Sequence, residues 1–136
     1  MVQPARLARN IMEVIVQLNP TLAVIEQFNV AFNLHAVDEL MALMTDDCLF
    51  ENTFPPPDGE PFQGQAAVRA AFEQFFSSSP HALFDFHDLF ACGERACVRW
   101  TYRWLDAAGQ PGHIQGVDVF RLHAGRIAEK RSYVKG

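Results

Sequence analysis

The chain is short of positive charge and of cysteine, and it has no apolar run long enough to cross a membrane. Eleven basic residues face sixteen acidic ones, a net charge of −5. No surplus of cations is left to neutralise a phosphate backbone, so nucleic acid is not an expected partner. The three cysteines, Cys48, Cys92 and Cys97, lack zinc-ligand spacing and are too few for a disulfide framework. They are expected to be buried free thiols; a bridge between Cys92 and Cys97 across the Gly93-Glu94-Arg95 turn is the alternative. His35, His81, His87, His113 and His123 never fall four apart on one helix face, and neither a metal nor another cofactor is expected. Asn10 and Glu13 interrupt the apolar stretch that a secretory signal after Arg6 and Arg9 would need. A cytoplasmic protein with no membrane partner is the expectation.

Hydrophobic residues make up 49% of the 136, and twelve are phenylalanine, which suits one soluble domain with an apolar pocket. Leu7, Ile11, Ile15 and Leu18 recur at helical spacing and predict a first helix over 4–18. Asn19-Pro20 reads as a cap and first-turn proline for a second helix over 20–34, with Leu22, Ile25, Phe28 and Phe32 in one stripe. A short helix over 37–44, a strand over 48–54, the stiff Pro55-Pro56-Pro57-Asp58-Gly59 loop and a helix over 65–76 follow. Four strands are then expected, over 83–90, 96–105, 113–122 and 126–134, joined by hairpin-length turns. The pattern is α+β: a curved antiparallel sheet wrapped around helices, with residues 1–19 as a helical extension and 20–136 as the domain.

Asp118 is the leading site candidate. Period-two alternation places it on the face shared by Ile114, Gly116, Phe120 and Leu122, which turns a carboxyl into an apolar interior. Such a group must be hydrogen-bonded, paired or protonated, and desolvation pushes its pKa upward. Acid or oxyanion-stabilising chemistry has that requirement; a structural Asp tied to backbone amides or to a tyrosine is the plainer reading.

Alternation also turns Val98, Trp100, Tyr102 and Trp104 inward, against Arg99, Thr101 and Arg103. Asp88 shares a face with Phe84, Phe86 and Phe90, with His87 and Leu89 opposite, unless a bulge reverses the phase. The outer face, with Arg99, Arg103, Val117, Val119, Arg121, Glu129, Arg131 and Tyr133, has the composition of an interface, and a homodimer through the sheet is expected.

The runs Leu43-Met44-Thr45-Asp46-Asp47-Cys48-Leu49-Phe50-Glu51-Asn52, Phe62-Gln63-Gly64-Gln65-Ala66-Ala67-Val68, Gly116-Val117-Asp118-Val119-Phe120-Arg121-Leu122 and Gly125-Arg126-Ile127 resemble a SnoaL-like member of the nuclear transport factor 2-like superfamily. The resemblance implies a cone with an internal pocket, sheet-mediated dimers and any of several activities, from isomerase and cyclase to binding protein. Against ketosteroid isomerases, Asp118 matches the strand Asp, while Phe28 falls at the helix tyrosine and Asn52 at the general base, with Glu51 beside it. Phenylalanine cannot donate and asparagine cannot take a proton at neutral pH. Against limonene-epoxide hydrolases, Ser132 falls where one Asp would be. Polyketide cyclases of the SnoaL group suggest the same chemical role for Asp118, through an enolate.

The expected catalytic set is therefore Asp118, Tyr102 and Asn52, and the expected substrate wall is Phe28, Phe54, Trp100, Phe120 and Ser132. The expected function is acid–base chemistry on a hydrophobic, carbonyl-bearing small molecule. The alternative is a noncatalytic binder or carrier of a small apolar metabolite.

Overall fold

A computed structural model describes residues 3–136, apart from the side chains of residues 12–18. Helix α1 (Pro4–Leu18) and helix α2 (Pro20–Asn33) meet at Asn19, whose side chain accepts a hydrogen bond from Leu22 N at 3.3 Å while Pro20 opens α2. Helix α2 starts as the capping pattern requires. Leu7 and Ile11, half of the apolar stripe expected on α1, are exposed at 52% and 51%, and Ile15 and Leu18 lie outside the described residues. Helix α3 (Val37–Ala42) stops short of Met44, because that residue already begins strand β1 (Met44–Glu51). The strand was expected only from Cys48. Strand β2 (Pro61–Gln63), helix α4 (Gln65–Ser78), and strands β3 (Leu83–Cys92), β4 (Arg95–Leu105), β5 (Pro111–His123) and β6 (Arg126–Val134) complete the chain.

The six strands form one curved sheet in the order β2-β1-β6-β5-β4-β3. The expected meander β3 to β6 is antiparallel throughout, and β1 joins its far side parallel to β6. The concave face closes on α2 and α4 around Ile25, Phe28, Leu40, Met44, Val68, Phe72, Val98, Phe120 and Ile127, all nearly inaccessible. Phe28 and Phe32 of α2 both meet Phe72 of α4 edge to face, and Phe28 meets Phe120 of β5 in the same way, with centroids 5.7–6.2 Å apart. Such contacts lock the two helices onto the sheet through buried aromatic area.

Three side-chain clamps set where the helices sit. Asn33 donates to Phe84 O (2.9 Å) and accepts from Phe84 N (3.0 Å), so the end of α2 holds edge strand β3. Thr21 donates to Gly93 O at 2.7 Å, fixing the other end of α2 to the β3–β4 turn. Gln65 Nε2 reaches the carbonyls of Met41, Met44 and Thr45 at 3.0–3.2 Å and anchors α4.

Two bulges reset the alternation. Phe86 pairs with Trp100 and Leu89 with Val98, so an extra residue falls at His87-Asp88. Leu89 therefore packs on the core, Phe90 is exposed at 62%, and Asp88 lies on the outer face paired with Arg99 at 2.7 Å. The inward position considered for Asp88 is overturned. On the other side Arg121 pairs with Glu129 and Leu122 with Ile127, leaving Ala128 as the extra residue. Ile127 and Lys130 both point inward as a result.

The cysteines are free, and only Cys48 is buried; Cys92 is exposed and Cys97 half-buried. Burial raises the Cys48 and Cys97 thiols above their ordinary range, so neither is poised as a thiolate. On the outer face Arg103 pairs with Asp85 (2.7 Å), Arg131 with Glu51 (2.9 Å) and Arg121 with Glu129 (3.4 Å). Among the described residues no helix is long and apolar enough to cross a membrane.

Candidate functional site

A cavity of about 730 Å³ opens between the helices and the concave sheet. Small residues make it possible: α4 turns Ala67, Ala70 and Ala71 toward the sheet where larger side chains would fill the space. Phe50, Phe62, Phe75, Phe84 and Phe86 supply much of its aromatic wall. Its size and apolar lining are those of a small-molecule site.

Three of the polar groups on its wall converge at one place. Lys130 Nζ donates to Ser132 Oγ at 3.0 Å, and the Ser132 hydroxyl donates to Asp118 Oδ1 at 2.7 Å. Lys130 Nζ also lies 3.5 Å from Asp118 Oδ2, closing a three-membered network. The two charged side chains are only 6% and 7% exposed. Strand pairing builds this geometry, since Asp118 lies opposite Ser132, and Phe120 opposite Lys130, on the inward face of β5 and β6.

The ammonium of Lys130 also sits 4.7 Å from the centre of the Phe50 ring and 5.4 Å from that of Phe32. These ring faces favour a cation. Burial is the larger influence and pulls the Lys130 pKa down from its ordinary value of 10.5, while Asp118 opposes it. Asp118 is thus tied to a serine and a lysine, rather than to backbone amides or a tyrosine.

Trp100 is buried at 4% exposure, and its indole Nε1–H has no acceptor among the described residues. The ring lies across Gly116, where a Cβ would come within 2.6 Å of it. Only glycine allows the indole this seat. Tyr102 stacks on Phe84 at 4.8 Å and lines the same cavity. Asn52 lines it too, but its Oδ1 accepts from Glu60 N at 2.7 Å and holds the loop after β1. Gly59 comes so close beneath that loop, at φ +72°, that a Cβ would lie 1.9 Å from Asn52 O.

Of the expected site residues, the cavity brings together Asp118, Tyr102, Asn52, Phe28, Phe54, Trp100 and Ser132. Phe54 is exposed at 72% and stands at the mouth. Phe120 does not reach the wall: it is fully buried behind Phe28, their centroids 5.8 Å apart, because the curve of the sheet tucks its ring under α2. Glu51 points away to Arg131, which removes it as a base in the cavity. Lys130 was missed. Once Glu129, Arg131 and Tyr133 are placed outside, alternation leaves Lys130 inside, so the signal was present. Among the described residues no three His, Cys, Asp or Glu side chains converge as metal ligands.

The sequence pattern of the SnoaL-like domain matches residues 25–130. A nuclear transport factor 2-like protein from Mesorhizobium loti is 35% identical, with a TM-score of 0.74 over 85% of this chain and 91% of that one. A Mycobacterium tuberculosis protein in complex with estradiol-17β-hemisuccinate is 21% identical, with a TM-score of 0.71 over 84% of this chain and 92% of that one. A ketosteroid isomerase-like protein from Kribbella flavida is 18% identical, with a TM-score of 0.73 over 85% of this chain and 78% of that one. No curated protein matches the chain significantly.

Proposed function

Because the chain belongs to the SnoaL-like domain family, whose cone carries many chemistries, we propose from its own residues that it is an enzyme acting on a hydrophobic carbonyl compound in the cone. The observation that carries this reading is the Asp118–Ser132–Lys130 network, a buried charged cluster held inside a largely apolar cavity. Taking two charges out of water costs several kcal/mol per ion before their attraction offsets it, and apolar residues of similar volume would be as stable or more so. A ligand with polar groups gives such a cluster a use.

Asp118 serves as acid and base, exchanging a proton with the substrate through its own oxygens or through the Ser132 hydroxyl. Lys130 stabilises the negative charge that gathers on a carbonyl oxygen as an enolate forms, the electrostatic role that a tyrosine on α2 cannot play here because Phe28 occupies the place. Trp100 Nε1–H, Tyr102 and the amide nitrogen of Asn52 orient the polar end, and Phe28 and Phe54 bound the apolar end. Isomerisation and ring closure both proceed through such an enolate. The steroid held by the M. tuberculosis neighbour and the isomerase-like K. flavida neighbour support a ligand of this size and greasiness. A homodimer through the outer sheet face and a cytoplasmic setting belong to the same proposal.

The test is a thermal-shift panel of steroids, aromatic polyketides, terpene epoxides and small ketones, followed by turnover assays on every hit with wild type and Asp118→Asn. Binding at about a hundredfold excess over Kd stabilises the native state by about 2.7 kcal/mol, which such a panel registers. Turnover that falls at least about a hundredfold in a folded Asp118→Asn supports the reading. Binding without turnover would make the protein a carrier instead.

A further inference from the structure

We propose that Lys130 is a nucleophilic amine that captures an aldehyde or ketone in the cavity as a Schiff base, with Asp118 and Ser132 moving the protons. The inference rests on the carbonyl-compound reading above and goes beyond it, from a charge that stabilises an enolate to a covalent intermediate.

The choice of residue is the first support. The chain holds nine arginines and two lysines, Lys130 and Lys135. Among the described residues Lys130 is the cation that lines the cavity, while Arg99, Arg103 and Arg131 lie on the outer face with carboxylate partners. Arginine would hold a permanent charge there with a better fork for Asp118; lysine is the cation that can give up its proton and expose a lone pair. Its surroundings favour that form, since burial is the dominant influence on its protonation and acts against the charge.

The second support is geometric. Nζ has its hydrogen-bond partner, Ser132 Oγ, on the path to Asp118, so proton transfer along 3.0 Å and 2.7 Å contacts yields a neutral amine and a carboxylic acid. The amine lone pair then forms a C–N bond at the carbonyl carbon, and the C=O π pair moves to oxygen. One proton passes from nitrogen to that oxygen, giving a neutral carbinolamine. The nitrogen lone pair next forms C=N as the hydroxyl leaves, taking the proton of the Asp118 carboxyl to depart as water. The products are a protonated imine and the Asp118 carboxylate, a charge pair in the place of the original one. A protonated imine draws electrons from the adjacent carbon more strongly than a carbonyl does. The carboxylate now beside it is the base that removes the α-proton to give an enamine, from which isomerisation or carbon–carbon bond formation proceeds.

The experiment treats the full chain at neutral pH with hydrocinnamaldehyde or 4-phenyl-2-butanone plus sodium borohydride, and reads intact mass and peptide maps. Thermal shift with 4-phenyl-2-butanol, which fits the same space but forms no imine, runs in parallel. The expected result is a mass gain equal to the carbonyl compound less one oxygen atom, on Lys130 rather than Lys135. Labelling of Lys130 should exceed that of Lys135 about tenfold or more, because Lys130 lines the cavity that holds the carbonyl compound and Lys135 does not. Lys130→Arg should lose the adduct, and Asp118→Asn should slow its formation. Stabilisation by the alcohol with no adduct, or with labelling spread equally over both lysines, overturns the Schiff base and leaves the cavity reading standing. No stabilisation by the alcohol and no adduct overturns both.

Discussion

Lys130 Nζ and Asp118 Oδ2 lie 3.5 Å apart, with Ser132 Oγ hydrogen-bonded to both residues and each charged side chain less than a tenth exposed. Burial leaves each group largely dependent on the other for compensation. Removing one partner strands the other, at a cost of about 3–5 kcal/mol, whereas removing both charges leaves little to strand. Urea unfolding of Lys130→Met should therefore show a loss of that order, and Asp118→Asn combined with Lys130→Met should recover most of it. Losses that simply add across the two substitutions would mean that the residues do not stabilise one another.

The protonation of Lys130 should appear as a pH dependence of stability. Burial holds its folded-state pKa below the ordinary 10.5 that applies when the chain is unfolded. Between the folded value and 10.5 the unfolded state binds more protons, so this residue makes stability rise with pH, fully by pH above 10.5, and the gain is lost as pH falls through the folded value. Lys130→Met removes the contribution. The stability difference between wild type and variant should move in the wild type's favour as pH rises from neutrality toward 10.5; a difference that stays flat would contradict the assignment.

Regular alternation is what made Asp118 legible from sequence. Strand β5 runs without a bulge from Pro111 to Arg121, so its inward set could be counted from the apolar residues alone. The same counting failed on β3, because the extra residue at His87-Asp88 depends on how β4 pairs beside it. Strand β2 was missed for a related reason: Pro61-Phe62-Gln63 has an exposed-half-buried-exposed pattern, and it is a strand only through its pairing with β1. Lys130 was overlooked because lysine is mostly a surface residue. Alternation with Glu129, Arg131 and Tyr133 outside already turns it inward, but the partners that hold its ammonium there, Ser132 two residues along β6 and Asp118 across on β5, are not visible from β6 alone.

Gly59 should tolerate no side chain. A Cβ there would overlap Asn52 O, and φ +72° is a conformation that residues other than glycine rarely adopt. Gly59→Ala must displace the loop that carries Asn52 and Phe54 to the cavity mouth. A loss of about 1–3 kcal/mol by thermal or urea unfolding is expected from strain of this kind, together with weaker ligand binding. Full stability with unchanged binding would show that the close approach has no consequence.

Asn33 makes two reciprocal bonds to Phe84 on an edge strand, so its loss should be local. Asn33→Leu leaves the Phe84 N–H and C=O without these partners, at about 1–3 kcal/mol. Hydrogen exchange should speed up at Phe84 N–H more than in the central strand β5. Uniform acceleration across the sheet would mean that this clamp acts on the whole fold rather than on its edge.

Trp100 separates the requirements of folding from those of binding. Its buried indole Nε1–H has no acceptor among the described residues, so the donor itself contributes a desolvation cost of about 1–3 kcal/mol to the free protein. Trp100→Phe removes that cost while giving up part of the ring's packing over Gly116 and against Phe84. The two effects oppose each other, and the stability of the free protein should change by no more than about 1 kcal/mol. A ligand oxygen accepting from Nε1 in the wild type loses that bond in the variant, and a loss of about 1.4 kcal/mol is a tenfold weaker Kd. Titration of each ligand found by the thermal-shift panel against both proteins checks this. Destabilisation by several kcal/mol with unchanged affinity would make Trp100 a packing residue whose N–H has no part in recognition.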